Sequence, residues 1–205
     1  ADHKRALCDE DMKKVFTRLP SSSAIPLAVR RAQDMFVLMF LLRGLPFVDL
    51  AYLRKSDLRD NVITYRRRKT GRPLSVTLTP EALELLKKYM NRDSHSPYLF
   101  SLLKSGEGTK EAYREYQSAL RWFNNSLKEL ARALHLKSPV TSYTLRHSWA
   151  TIAKYRGVSI EMISEALGHK SIKTTQTYLK GFGLEERTEV NKGNLSYIRN
   201  CNVKG

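Results

Sequence analysis

Apolar residues along this chain recur mostly every three to four positions, with one interruption at strand spacing. Residues 9–19 form a short amphipathic stretch that Pro20 and the serines at 21–23 bring to an end. A helix is expected over 26–42, because Met35, Leu38, Met39 and Leu42 share one face. Arg43-Gly44-Leu45-Pro46 breaks it, and a shorter helix follows over 47–53. From 58 to 78 the period becomes that of strands, with Val62, Tyr65, Leu74, Val76 and Leu78 at β-favouring positions. Lys69-Thr70-Gly71-Arg72-Pro73 supplies the turn of a small antiparallel hairpin. Thr79 is then the N-cap, and Pro80 the first residue, of a helix through Leu83, Leu86 and Met90.

After a loop at 94–97, a long helix is marked by Tyr113, Tyr116, Leu120, Phe123, Leu127, Leu130 and Leu134, an aromatic-rich stripe read most simply as core. Pro139 punctuates, and a helix carrying Leu145, Trp149 and Ile152 ends near Gly157. Ser159 caps a helix over 160–167 that stops at Gly168, and Ser171 caps a last one containing Tyr178. Beyond Gly181 the sequence is polar with weak periodicity. The pattern predicts a mainly α fold with a small antiparallel β-sheet (α+β), comprising a domain over 1–180 and a tail over 181–205. The most apolar run, 35–42, is roughly a third to a half of what a bilayer core needs, so it is expected to be a buried helix. The chain opens with charged residues rather than an apolar signal segment, and cytoplasmic residence without membrane contact is the expectation.

Charge narrows the partner. Lys and Arg number 36 against 20 Asp and Glu, a net charge of +16, which calls for a polyanion. Nucleic acid leads, because basic side chains release the counterions condensed on a duplex; composition alone leaves a merely soluble basic protein open. Cys8 and Cys201 stand near opposite ends, in neither metal-ligand nor disulfide spacing, so a reducing compartment and no metal site are expected.

Cutting a phosphodiester without a metal requires a nucleophile, an acid for the leaving group and fixed positive charge around the transition state. The second half of the chain offers these in order. Tyr143, Arg146 and His147 lie within 142–149, where positions 143 and 146 share one face of a helix. Leu167-Gly168-His169 follows, and Tyr178 stands nine residues after the histidine.

The ordered set Leu-Arg-His-Ser-Trp-Ala-Thr (145–151), Leu-Gly-His (167–169) and Thr-x-x-Tyr (175–178) resembles the carboxy-terminal signature of the tyrosine recombinase or phage integrase family. Tyr-Arg-Arg-Arg-Lys-Thr-Gly at 65–71 resembles the hairpin that carries that family's catalytic lysine, and the likeness spans about residues 9–180. It implies that Tyr178 attacks phosphorus to give a 3′-phosphotyrosyl link, that Arg146 holds the non-bridging oxygens, and that His169 hydrogen-bonds the phosphate or shuttles a proton. It implies further that Lys69 protonates the departing 5′ oxygen, with no cofactor and no ATP. An ordinary phenol titrates near 10, so only ~0.1% is ionised at neutral pH and ionising it costs about 4 kcal/mol, which neighbouring groups must offset.

The resemblance departs from the family at two positions. Gly44-Leu45-Pro46-Phe47-Val48-Asp49-Leu50 has proline where the family carries its first arginine, and Arg43 is the expected substitute. This shifted pattern is similar to integrases of Bacteroidetes mobile elements. Tyr143 replaces a usual His or Lys, so that position donates a hydroxyl hydrogen bond rather than a cationic one, either in the site or as scaffold. His147 is expected to brace the site, Asp49 to orient the arginines, and Arg66, Arg67, Arg68, Arg72, Lys170 and Lys173 to bind DNA phosphates.

The implied partners are double-stranded DNA, further copies of the chain on paired sites and, as an auxiliary, a DNA-bending protein. The family normally places a core-binding domain ahead of this one, so the chain reads as part of a longer integrase acting for a mobile element, its 181–205 tail docking on a neighbouring copy. Two rival functions share part of this pattern. Helices 160–167 and 171–179 mimic the helix-turn-helix of a non-enzymatic DNA-binding module, which leaves Arg146, Lys69 and Tyr178 unexplained as a set. A type IB topoisomerase would share the phosphotyrosine chemistry.

Overall fold

The computed structural model describes residues 6–17, 19, 24–179, 192 and 194–196, so most of the 181–205 tail assigned to docking lies outside the described residues. The elements run α1 (Asp9–Phe16), α2 (Leu27–Leu41), α3 (Phe47–Tyr52), β1 (Leu58–Arg59), β2 (Val62–Arg66), β3 (Pro73–Thr77), α4 (Pro80–Tyr89), α5 (Lys110–Ala133), α6 (Thr144–Tyr155), α7 (Ile160–Leu167) and α8 (Ile172–Tyr178). The fold is mainly α with one small antiparallel sheet, as the hydrophobic pattern predicts.

The core forms around α2, which buries Val29, Ala32, Met35, Phe36, Leu38 and Met39. Such burial contributes roughly 1.5–3 kcal/mol for each large side chain. Helix α5 packs along it through Phe123, Leu127 and Leu130, and Phe47 at the start of α3 stacks on Phe123 with ring centroids 4.6 Å apart. The aromatic stripe of α5 is core only in part. Tyr113 stays 56% exposed, because α5 has 24 residues against 15 in α2 and its first turn outruns the core it packs on.

The sheet has order β1-β2-β3. β1 is two residues long, too short to register as an alternation, and was not foreseen. Ile63 faces Val76 and Tyr65 faces Leu74 across the longer pair, while Thr64 and Ser75 face each other on the outer side at 3.0 Å. A slip of one residue would turn Ile63 and Tyr65 to solvent, so burial fixes the register. Thr79, Thr109, Ser159 and Ser171 each accept a backbone N–H at a helix start, worth about 1 kcal/mol apiece.

Two glycines allow the second half of the chain to close on the first. Gly44, at φ +68°, sits so near α6 that a Cβ there would lie 3.2 Å from the Arg146 Cα. Gly168, at φ +65°, ends α7, and a Cβ there would lie 2.9 Å from Leu74 Cδ1 in β3. Gly168→Ala therefore meets both left-handed strain and a clash, and is expected to destabilise the fold by about 2 kcal/mol. In a thermal melt this is a drop of ~4–8 °C; an unchanged midpoint would mean that β3 does not rest on this turn.

Helix α1 is tied to the far side by the buried Asp11 carboxylate, which accepts the N–H groups of Lys137 and Ser138 at 3.0 and 3.1 Å. The Leu7 N–H donates to Ser148 Oγ of α6 at 2.9 Å. No helix among the described residues is long and apolar enough to cross a membrane.

Candidate active site

Helix α6 opens beside the corner between α2 and α3, and its first turn sets the site. Tyr143 occupies the N-cap position, while Arg146 and His147 fall in the first turn and are buried. The Arg146 side chain, 3% exposed, points inward; Nη1 donates to the Gly44 carbonyl at 3.0 Å and Nη2 to the Leu167 carbonyl. One guanidinium thus joins the α2–α3 corner to the end of α7.

Gly168 reverses the chain after α7, and the His169 N–H donates back to the Ser164 carbonyl at 3.0 Å. The His169 ring is buried, with Nδ1 2.8 Å from Thr175 Oγ1. Ser171 caps α8, whose seven residues carry Tyr178 back over the start of α6. There the Tyr178 ring stacks on His147, centroids 4.0 Å apart and planes within 8°. Its centroid lies 5.0 Å from that of His169, and its hydroxyl lies 2.8 Å from the Tyr143 hydroxyl. The structure thus brings Tyr178, Arg146, His169, Tyr143 and His147 together.

The β2–β3 turn joins them from the first half of the chain. Thr70 Oγ1 donates to the Gly168 carbonyl at 3.1 Å, which brings the neighbouring Lys69 close enough to His169 to influence its ionisation. Behind the turn, Asp49 of α3 accepts the Arg68 N–H at 2.9 Å and lies 3.9 Å from Arg67 Nε. Asp49 therefore does sit among arginines, holding the strand end in place.

A family model described as "Phage integrase family" matches residues 10–182. The chain belongs to the phage integrase family. Its relatives include proteins called "Tyrosine recombinase XerA". That of Pyrococcus furiosus is 30% identical over 195 residues, covering 93% of this chain and 62% of that protein. That of Thermococcus onnurineus is 31% identical over 179 residues, covering 86% and 58%. The chain thus spans about three fifths of the length of these relatives. Among solved structures, the XerA recombinase matches with a TM-score of 0.62 at 21% identity, covering 94% of this chain and 66% of that one. The Tn1549 transposon integrase (aa 82-397), in complex with circular intermediate DNA, matches with a TM-score of 0.64 at 15% identity, covering 94% and 68%.

In this integrase-family chain the electrostatics are set by burial. Burial pushes the Tyr178 phenol up to about 12, the Tyr143 hydrogen bond pushes the same way, and the Arg146 guanidinium pulls against both. Burial lowers Arg146 to about 10, helped by the nearby positive charge of Arg67, and it remains a cation at neutral pH. His169 falls to about 4, first from burial and then from Arg146, Arg67 and Lys69 around it. It is neutral at pH 7, a hydrogen-bonding or proton-accepting ring rather than a cation.

A histidine with a depressed folded pKa contributes stability that is present above its ordinary value of 6.5 and lost as pH falls toward 4. By pH 5 that loss is on the order of 1 kcal/mol. Melts at pH 7.5 and 5 are expected to differ more for the wild type than for His169→Gln, by ~2–4 °C. Identical pH profiles would show that His169 is not held neutral by its surroundings.

The remaining basic residues divide. Arg66, Arg68, Arg72, Lys170 and Lys173 are exposed, and Lys173 lines the cleft of about 340 Å³ that holds Tyr178, Tyr143 and His147. Arg68 is already engaged: it stacks 3.8 Å over Tyr52 and pairs at 2.6 Å with Glu107, which also holds Arg54. Arg67 differs from these exposed residues, because strand alternation turns its side chain inward, where it is 6% exposed. Arg43, at φ +60° and half-buried, lines a different cavity of about 740 Å³ with Arg72, Trp149 and Arg156. Thr70 and Thr175 were not singled out, although Thr175 stands in the Thr-x-x-Tyr spacing; a hydroxyl that orients a histidine has no period of its own. Among the described residues no cluster of three His, Cys, Asp or Glu side chains could hold a metal ion.

Proposed function

We propose that this chain is the catalytic part of a site-specific DNA recombinase that cuts and rejoins strands through a 3′-phosphotyrosyl intermediate on Tyr178, in the integration and excision of a mobile element. The observation that carries this reading is the convergence of separate segments of sequence on Tyr178: Arg146 and Tyr143 reach its hydroxyl, while the His147 and His169 rings lie against its ring. Membership of the phage integrase family supports it.

Each side chain takes a role from its chemistry. Arg146 would fork the non-bridging oxygens of the scissile phosphate, being planar, cationic and held at both ends of its guanidinium by carbonyls. Lys69 would protonate the 5′ oxygen as the P–O bond breaks. His169, held neutral, would hydrogen-bond the scissile phosphate, and His147 sets the plane of the attacking ring. At pH 7 ionising a phenol of pKa about 12 costs ~7 kcal/mol, so the free site is a resting one. A phosphate that draws the Tyr143 hydroxyl away removes one of the causes that hold the phenol protonated, the hydrogen bond that opposes the pull of Arg146. Lys170 and Lys173, just before and within the first turn of α8, would carry the duplex backbone, and paired sites would call for several copies of the chain.

The test begins with duplexes selected from a random pool by binding to the full chain. A nicked version that lets the short cut strand diffuse away should trap an SDS-resistant adduct, and the DNA-linked peptide should contain Tyr178. Selective binding without any adduct would instead favour the helix-turn-helix reading.

A further inference from the structure

The geometry points to Arg67 as the guanidinium that takes the place of the arginine missing at Pro46, reaching the scissile phosphate from the end of β2 rather than from the α2–α3 corner. This rests on the proposed strand-transfer function and says which side chains complete its phosphate cradle.

Arg67 directly follows β2, and its side chain is buried to nearly the same degree as that of Arg146, at 6% against 3% exposure. Exposed arginines surround it in sequence, so its burial is specific to the position. Its Cδ lies 3.3 Å from where a Gly168 Cβ would stand, so the side chain runs along the Leu167-Gly168-His169 turn. Arg146 Nη2 donates to the Leu167 carbonyl of that same turn, and Thr70 clamps the hairpin to the Gly168 carbonyl. Two buried guanidiniums, from β2 and from α6, therefore meet at the turn that carries His169.

Arg67 is also short of partners. Among the described residues its sealed Nε has no hydrogen-bond acceptor, and the Asp49 carboxylate stops 3.9 Å away, outside hydrogen-bonding reach. A buried guanidinium left with one distant counter-ion carries a desolvation penalty that an arriving anion would relieve. Two like charges placed side by side make the same demand; after burial, the nearby charge of Arg67 is what most weakens the hold of Arg146 on its proton. A phosphate is the anion that suits two planar forks at once. Asp49 is then a positioning residue: it holds the Arg68 N–H at 2.9 Å, fixes the strand end, and keeps Arg67 turned inward.

Arg43 makes a poor counterpart. It is half-buried just after α2, where it lines a cavity with Phe40, Trp149 and Arg156.

Single-turnover cleavage of the selected nicked duplex tests the assignment, with two substrates: the ordinary phosphate, and a methylphosphonate in which one non-bridging oxygen of the scissile group is replaced by a neutral methyl. Arg67→Ala is expected to cleave the phosphate at least ~10²-fold more slowly than the wild type. On the methylphosphonate its deficit should shrink to within about tenfold, because the charge that Arg67 would neutralise is gone. Arg67→Lys, which keeps the charge beside Asp49 but not the fork, should fold and fall between the two, and it carries the test should the alanine variant not fold. Arg43→Ala should cleave within about threefold of wild type. A near-normal rate for Arg67→Ala or Arg67→Lys, or an equal deficit on both substrates, overturns the assignment, the latter marking a structural role. Absence of an adduct from the wild type would instead refute the strand-transfer reading itself.

Discussion

Tyr178→Phe is expected to bind the selected duplex within about threefold of the wild type and to form no covalent adduct with it. Phenylalanine keeps the ring that stacks on His147 and loses only the hydroxyl; of its two partners, Tyr143 is exposed and can turn to water, and Arg146 keeps the Gly44 and Leu167 carbonyls. The stability change should therefore stay near or below ~1 kcal/mol. The chemical change is absolute, since no oxygen remains to attack phosphorus. The site adds a complication that sharpens the measurement. The Tyr143 hydroxyl is 2.8 Å from that of Tyr178, so a second phenol stands at the point of attack. Peptide mapping of the adduct separates the two: linkage through Tyr143 in the wild type, or an undiminished adduct in Tyr178→Phe, would move the nucleophile and dismantle the roles assigned around it.

Much of this site was legible because its pieces are local. Ser159, Gly168 and Ser171 announce the two short helices and the turn between them, and the structure places α7 and α8 at those limits. That turn is where His169 and Tyr178 are set, so helix-cap chemistry determines the spacing of the two groups. The long helices were equally plain, since their apolar faces are repetitive. Arg67 was not plain. In a run of Arg66, Arg67, Arg68 and Lys69 every residue carries the same charge, and charge alone reads as a solvated tip. Strand alternation from Ile63 and Tyr65 inward does point position 67 the same way, but an arginine on the buried face contradicts the usual preference of that side chain. Pairings across the chain, such as Thr70 with Gly168 and Leu7 with Ser148, have no signature in any local window. They exist because Gly44 and Gly168 let backbones approach, and the need for close approach becomes visible only in three dimensions.

Arg146→Ala is expected to lose both function and fold stability, and the two losses have different sources. Truncation leaves the Gly44 and Leu167 carbonyls without their buried donor, and an unsatisfied buried acceptor costs ~1–3 kcal/mol. A net loss of about 3 kcal/mol corresponds to ~6–12 °C in the melting midpoint. Cleavage, measured below that midpoint, should fall by at least ~10³-fold, because the cation opposite the transition-state charge and the group drawing down the Tyr178 pKa are removed together. Arg146→Lys discriminates between the sources. It restores a positive charge but not a fork able to hold two carbonyls and a phosphate at once, so stability should recover in part while cleavage stays at least ~10-fold down. Wild-type cleavage by either variant would leave Arg146 a bracket between the α2–α3 corner and the α7 terminus, and the chemistry would have to find its positive charge elsewhere.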